Sequence, residues 1–349
     1  MGGDCDKPNI IVIFTEGLSS EVLDIYNDLN LNLTPNLNEL YKESLSFDNY
    51  FNHTAATFRG LRGQLFSGYQ FRGGFGSSSD KGLADISLES VKNKTDVKIK
   101  SIIDVLRENG YYSYFVNSEP NMAYFVNYLS TFGFDEIFPS NNEGKMLSDK
   151  ESFLELEKSI YKVKEPYFIG FYNIGTHHGM DSPDIKYGDG KNPILNKFHN
   201  YDAQFGMWFK KMKEKGLFKN TLLVFTTDHA SYNAPEWKKS FKSNQSSFVA
   251  KIPLFLYGAG IKSGKLNANG RNSLDLAPTL LDILNITNFS NYFLGNSLFY
   301  EYASKYDKYS SIGNNIYHTD GNNVRPYKSL IDKKIKSDIK KFFVISLNE

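Results

Sequence analysis

Only one cysteine, Cys5, occurs in 349 residues, so an intramolecular disulfide is excluded. No apolar run approaches the ~20 residues that span a bilayer. The opening stretch MGGDCDKPN has no charged region leading into an apolar one, so it shows no secretory signal. An excess of either charge is also missing, with 40 Lys and Arg against 39 Asp and Glu. Without a basic block or an aromatic–basic array, nucleic acid is not an expected partner. No internal repeat is evident.

What the chain does have is apolar material for a large core, 40% of its residues. Its length fits one large α/β domain, or one with a small appendage. The 23 Tyr and 28 Phe read first as core, with some available to line a lipid-facing or sugar-facing surface. Strand-like runs at 10–15, 112–117, 167–173, 221–227 and 252–257 alternate with helical stretches at 34–44, 85–109, 149–162 and 201–215. That alternation predicts an α/β fold with a mostly parallel central sheet and helices on both faces. Segment 71–90 is rich in Gly and Ser and reads as a loop that helps shape a pocket, and 179–200 reads as another loop. Beyond residue 296 the character changes to short strands around a DGNN turn, followed by a basic helix. The expected division is therefore a catalytic domain over 1–296 and a small antiparallel C-terminal subdomain over 297–349, packed on the main sheet.

The strongest chemical signal is Asp228-His229, which ends the apolar, β-branched run TLLVFTT. Residues just past the carboxyl end of a parallel strand project into the crevice where α/β proteins bind ligands. Carboxylate oxygen and imidazole nitrogen are both ligands for divalent metals. A second such position is Glu16, just after the buried-strand pattern NIIVIFT; the competing reading makes Glu16 a cap for a helix over GLSSEVLDIYNDL. The third element, HTAATFRGLRGQLFSGY, offers Thr54 and Thr57 ahead of a helix start, where backbone N–H groups favour an anionic group. A threonine hydroxyl is a poor nucleophile until a metal lowers its pKa. Otherwise both threonines are N-caps. His177 and His178 follow a further buried-strand pattern, and an imidazole there can protonate a leaving oxygen.

These pieces resemble the sulfatase-like branch of the alkaline phosphatase superfamily, and within it lipoteichoic acid synthases and lipid A phosphoethanolamine transferases. PNIIVIFTEG is similar to the first metal-ligand strand and NHTAATFRGLRGQLFSGY to the nucleophile turn. SIIDVLRENGYYSYFV is similar to the helix and strand after that turn, and NIGTHHG to the substrate-histidine turn. HNYDAQFGMWFKKMKEKGLFKNTLLVFTTDHA is similar to the helix, strand and second metal-ligand turn, and KIPLFLYGAGI with NSLDLAPTLLDILNI to the closing strand and helix. The resemblance implies a metal site of Glu16, Thr57, Asp228 and His229 with Thr57 as nucleophile, Thr54 remaining the alternative. It assigns His177 to the substrate or leaving group; Gly179 and Met180 stand where the family has a nearby proline, which leaves His178 open too. The family's formylglycine motif Cys-x-Pro-x-Arg is absent, and the hydroxyl nucleophile points to phospho-group chemistry.

Arg59 and Arg62 are candidates for substrate phosphate, with solvated helix-face charges as the alternative. Lys239, with Lys238 and Lys242, falls in an expected polar loop that would meet an anionic head group or only solvent. His53 and His199 read as structural or exposed, Asp202 as architectural, Asp275 as a helix cap, and His318 as a turn or pocket-rim residue. His178 and Asp181 offer part of a second metal site, but one Mn2+ or Zn2+ ion is the expected complement. The expected reaction is two-step transfer of a phosphoryl-linked group, such as phosphoglycerol or phosphoethanolamine. The donor is a phospholipid or other phosphodiester and the acceptor an envelope glycan or lipid. A phosphodiesterase or phosphatase, and a non-catalytic binding module, are the alternatives. The resembled transferases carry membrane helices ahead of such a domain. The chain is therefore expected to be membrane-proximal, at the extracytoplasmic face of a bacterial inner membrane, through an N-terminal membrane region of a longer protein or beside a membrane partner.

Overall fold

The computed structural model describes residues 7–69, 99–120, 122–139, 144–312, 315–326 and 333–339. Its centre is β1 (Asn9–Thr15), every residue of which is buried. Side chains alternate across a strand, so Ile10, Val12 and Phe14 enter the core on one face of the sheet. Ile11 and Ile13 enter the core on the other. A strand covered on both faces has to be apolar throughout, and this is why NIIVIFT is so readable as sequence.

Strand β1 pairs in parallel with β5 (Tyr167–Tyr172) and β6 (Thr221–Thr227), its two neighbours. Outward from β5 lie β3 (Tyr112–Asn117) and the short β4 (Glu136–Phe138), both parallel. Outward from β6 lie β7 (Phe255–Gly258), β2 (Leu45–Asp48) and β8 (Gly264–Asn267), giving the order β4-β3-β5-β1-β6-β7-β2-β8. Strand β7 is antiparallel to both neighbours, so β2 again runs with β1 and β6. The mostly parallel sheet expected from the sequence is present. The additions are short, and β8 is exposed along its length, so neither β2, β4 nor β8 carries a readable hydrophobic pattern. The strand expected at 252–257 begins at Phe255, after Pro253, whose missing N–H cannot join a ladder.

Helix α1 (Pro35–Glu43) precedes β2, and α2 (Thr57–Phe66) opens after the threonine turn. The expected helix 85–109 is seen as α3 (Ile102–Glu108), started by a Ser101–Asp104 capping box. Residues 70–98, including the Gly/Ser-rich segment 71–90, lie outside the described residues. After α4 (Ala123–Leu129), helix α5 (Asp149–Lys162) has its expected bounds, fixed by a second capping box between Ser148 and Glu151. Helix α6 (Pro193–Glu214) starts earlier than position 201, because Asn192 accepts from Ile194 N and Leu195 N and Pro193 occupies the first turn. Much of the loop expected over 179–200 is therefore helix. Helix α7 (Pro235–Phe241) replaces the expected lysine loop, and α8 (Leu276–Ile283) follows β8.

No helix forms over GLSSEVLDIYNDL; the segment makes 3-10 turns at Ser20–Val22 and Asp24–Tyr26. The N–H groups that a first helical turn would leave free are taken by side chains beyond β6. Gly17 donates to Asp228 Oδ1 at 2.9 Å, Leu18 to Thr227 Oγ1 at 3.0 Å and Ser19 to Ser231 Oγ at 3.0 Å. Asp275 occupies the position before α8, but its carboxylate accepts from Arg271 and Asn296 N rather than capping the helix. At the C-terminus β9 (Tyr309–Ile312), β10 (Asn315–Asp320) and β11 (Asn323–Pro326) form a separate antiparallel sheet, as expected, with α9 over 333–339. Ile316, Ile335 and Ile339 pack there with Tyr69 and Leu274 of the main body. His318 lies in β10, against the Tyr309 ring at 5.0 Å, not in a turn.

Asp202, buried within α6, holds the start of α1 by accepting from Asn36 N, Asn36 Nδ2 and Leu37 N at 2.8–3.1 Å. Asp202→Ala should strand these donors and lower unfolding free energy by about 2–3 kcal/mol in urea titration. A loss below about 0.5 kcal/mol would show the clamp to be dispensable.

Candidate metal and nucleophile site

The carboxyl ends of β1, β5 and β6 meet at one edge of the sheet, and the chemistry-bearing residues lie just beyond them. Glu16, Asp228 and His229 are 2%, 0% and 6% exposed. They bring one ligand atom each to within 4.8 Å of one another, the one such group of three among the described residues. His229 Nε2 lies 3.4 Å from both Glu16 Oε1 and Asp228 Oδ2. The imidazole is aimed by Nδ1, which is 2.7 Å from Ala230 O and so carries the hydrogen, leaving Nε2 toward the carboxylates. Asp228 is divided in the same way. Its Oδ1 accepts from Gly17 N and His229 N at 2.9 and 2.7 Å, while buried Oδ2 accepts no hydrogen bond.

Two buried carboxylates facing each other are costly unless a cation lies between them. Burial raises the Asp228 carboxyl well above its ordinary range, and the Glu16 charge adds to that. For Glu16, burial pulls upward, but the charge and hydrogen bond of His229 outweigh it and hold the group low. For His229, burial pulls down, and the Asp228 and Glu16 charges outweigh it, raising the imidazole. Lone Asp228 Oδ2, the outward Nε2 and the Glu16 carboxylate together form an O,O,N donor set that fits a divalent cation.

The structure brings Thr57, not Thr54, to this cluster. Thr57 Oγ1 donates to Glu16 Oε2 at 2.8 Å, whereas buried Thr54 donates to Ser311 O at 2.7 Å. Thr57 is the first residue of α2, so it is not an N-cap; that position belongs to Ala56, at φ 65° and ψ 162°. This region of backbone space is nearly reserved for glycine and costs on the order of 1–3 kcal/mol. Helix α2 presses against the metal turn through Gly60, where a Cβ would stand 2.2 Å from Asp228 O.

His177 and His178 are exposed on the turn after β5. The charge of His177 acts on Glu16. His178 packs against the Tyr232 ring at 4.6 Å in a tilted contact, and His177 Nδ1 lies 2.8 Å from His178 O. Asp181 is paired with Lys186 at 2.7 Å and does not join a metal-type cluster among the described residues. Arg59 and Arg62 are 1% and 2% exposed, which removes the solvated-charge reading. Arg59 Nε donates to Ala55 O at 2.9 Å, and Arg62 lies over the Phe66 ring at 4.3 Å. Lys239 is exposed on α7. His53 is buried against Ser273 Oγ at 2.6 Å, and His199 binds Leu33 O.

A sequence model of the sulfatase family matches residues 8–286. The chain belongs to the sulfatase family. Lipoteichoic acid synthase 2 of Bacillus subtilis (strain 168) is 24% identical to this family member over 320 residues, 81% of this chain and 46% of that protein. Phosphoglycerol transferase I of Salmonella newport (strain SL254) is 23% identical over 309 residues, 81% of this chain and 38% of that protein. The chain thus spans about half or less of the length of these relatives. The crystal structure of the lipoteichoic acid synthase LtaP from Listeria monocytogenes has a TM-score of 0.71 at 17% identity, covering 97% of this chain and 91% of that one. A Vibrio parahaemolyticus protein of the alkaline phosphatase superfamily gives a TM-score of 0.72 at 18% identity, covering 97% and 86%. These likenesses show a shared fold.

Three residues of this sulfatase-family site escaped the sequence reading. Tyr172 OH donates to Glu16 Oε2 at 2.6 Å, and its place at the end of β5 was a usable signal. Buried Glu119, beyond β3, is pushed up to about 7 by burial and then by the Glu16 charge. Lys197, buried in the first turns of α6, carries no signal in a polar stretch of sequence. Among the described residues, no helix is long and apolar enough to cross a membrane.

With Asp228 and His229 both raised, cation binding near pH 7 must expel protons, and affinity should climb as pH rises toward alkaline values. Calorimetry of Mn2+ binding in two buffers of different ionisation enthalpy reads this directly, and zero proton release would contradict the assigned charge states. Gly60→Ala, favourable for an isolated helix by about 1 kcal/mol, should instead destabilise the fold by roughly 1–3 kcal/mol and weaken Mn2+ binding. Thermal melts with and without Mn2+ report both effects.

Proposed function

We propose that this sulfatase-family chain is a metal-dependent phospho-group transferase. It moves a phosphoryl-linked group, such as phosphoglycerol or phosphoethanolamine, from a lipid phosphodiester to a hydroxyl or amine of an envelope glycan or lipid. The carrying observation is the hydrogen bond from Thr57 Oγ1 to Glu16 Oε2, at 2.8 Å, inside a buried carboxylate–imidazole cluster. The only cysteine is Cys5, so the nucleophile at this turn is a hydroxyl. The printed names of the relatives, lipoteichoic acid synthase and phosphoglycerol transferase, support the same class.

One Mn2+ or Zn2+ held by Glu16, Asp228, His229 and Thr57 would lower the hydroxyl pKa and offset phosphoryl charge. The chain's own residues divide the remaining work. Glu16 and the start of α2 aim Thr57 Oγ1, and Tyr172 donates to the same Glu16 oxygen, Oε2, leaving Oε1 toward His229. Thr57 Oγ1 gives up its proton along its hydrogen bond to Glu16 Oε2 and bonds to phosphorus as the bond from phosphorus to the leaving alcohol breaks, giving a phospho-threonine diester. His177, whose charge acts on Glu16, gives the departing oxygen its proton; His178, packed against Tyr232, is the weaker candidate. An acceptor hydroxyl or amine then attacks the same phosphorus, giving its proton to His177, and the bond to Thr57 Oγ1 breaks as that oxygen takes back a proton from Glu16. Arg59 is assigned to orientation of the α2 turn rather than to direct phosphate contact, and exposed Lys239 to the approach of an anionic head group. With a lipid donor and an envelope acceptor, the proposed location is the extracytoplasmic face of the membrane.

The exposed histidine turn also leaves the site open to water, which favours a phosphodiesterase as the second reading. Peptide-mapped mass spectrometry after exposure of the Mn2+-loaded protein to bacterial phospholipid should show an adduct on Thr57 that Thr57→Ala abolishes and Thr54→Ala retains. The adduct mass names the transferred group. Release of the head group at an equal rate with and without glycan or polyol acceptors would favour the hydrolase instead.

A further inference from the structure

Among the described residues, Lys197 is a buried cation without a carboxylate partner. It is 4% exposed, one turn into α6, on the face that also presents Asn196, Asn200 and Tyr201 to the interior. Each of those neighbours is satisfied. Asn196 donates to Asp181 and Gly190 O, Asn200 to Asp149, and the Tyr201 hydroxyl meets Thr15 Oγ1 at 2.6 Å. The lysine is different. Its Nζ donates to one acceptor, His177 O at 2.9 Å, and among the described residues no carboxylate lies within ion-pairing distance. The Phe198 ring lies 5.2 Å from the ammonium.

An ammonium has three donors, and burying it with one carbonyl partner costs several kcal/mol unless an anion completes its shell. Burial pushes its pKa down to about 8, and the Glu16 charge pulls the other way. The ammonium is therefore charged at neutral pH, and its charge is felt both at Glu16 and at His178. It is bonded to the histidine turn through His177 O and lies near enough to the carboxylate cluster for the Glu16 charge to act on it. A structural lysine would instead reach solvent or pair with an acid.

We propose that Lys197 binds a non-bridging phosphoryl oxygen of the substrate and matches the site to a singly charged phosphodiester. The inference rests on the proposed transferase reading and adds a substrate-contacting residue from α6, a helix that otherwise supplies only architecture. Its single positive charge complements one negative phosphate oxygen. Its His177 O bond ties that oxygen's position to the turn bearing the leaving-group histidine.

The test compares Lys197→Met and Lys197→Arg with wild type, each loaded with Mn2+ and checked for metal stoichiometry. Binding of dimethyl phosphate and inorganic phosphate is measured by calorimetry, and steady-state cleavage by bis(p-nitrophenyl) phosphate turnover. Lys197→Met should weaken dimethyl phosphate at least tenfold and raise KM by a similar factor, while Mn2+ binding persists and the melting temperature stays level or rises. Lys197→Arg should recover most of the diester affinity. An unchanged diester affinity in Lys197→Met with Mn2+ bound overturns the inference, as does a fall in melting temperature with no change in KM. Failure of wild type to form a Thr57 adduct while the lysine effect on diester binding persists would instead overturn the transferase reading alone.

Discussion

The parallel pairing of β1 with β6 is the constraint on which the site depends. In register, Thr15 lies beside Thr227, so Glu16 and Asp228 leave the sheet side by side at the same edge. Thr227 Oγ1 then bonds Thr15 O and His229 O, and the backbone after Glu16 is stitched to residues of the β6 turn. Two carboxylates are thereby fixed near one imidazole in a dry place, an arrangement that a divalent cation would stabilise. Local helix propensity after Glu16 is overridden by the same stitching, because its N–H groups already have partners.

From that edge the surrounding elements read as supports for a few atoms. Strand β5 supplies Tyr172 to one Glu16 oxygen, and Asn173 accepts from Glu16 N while donating to Asp149 at the start of α5. Helix α2 comes close only because Gly60 and Gly63 present no side chain, the first against Asp228 O and the second against His53. This close approach places Thr57 within reach of Glu16 but demands an unfavourable backbone at Ala56. Strain of that kind persists only where surrounding contacts over-determine it, and it favours a fixed, prepositioned hydroxyl.

The site is asymmetric in its openness. The carboxylates are buried just past the ends of β1 and β6, while the histidine turn after β5 is exposed. A groove of about 950 Å3 is lined by Ser19, Tyr26, Gln245, Lys251 and Asn322 among others, and Ser19 and Gln245 bond Ser231 in the turn after His229. The 242–251 segment forms one wall of the groove, and Phe248 of that segment meets the His229 ring at 5.9 Å. Metal-type chemistry and the space for larger molecules therefore share a boundary, as expected where pocket loops set specificity over a rigid strand-end centre.

The sequence by itself determined the buried parallel strands, the boundaries of α5, the C-terminal antiparallel strands and the strand-end candidates Glu16, Asp228 and His229, while the family resemblance added Thr57 with Thr54 as the alternative. Those features are local: a strand covered on both faces must be apolar over its whole length, a capping box is written in four consecutive residues, and strand-end polar residues follow directly on such runs. Only the tertiary structure bonded Thr57 to Glu16 and Thr54 to Ser311, turned the expected helix after Glu16 into 3-10 turns, placed β7 antiparallel, buried Arg59 and Arg62, and aimed Lys197 at the histidine turn. Each of these depends on a partner far away in the chain: Ser311 for Thr54, Asp228 for Gly17, His177 for Lys197. A hydrogen bond or close contact between residues distant in sequence leaves no period or spacing for a single sequence to display.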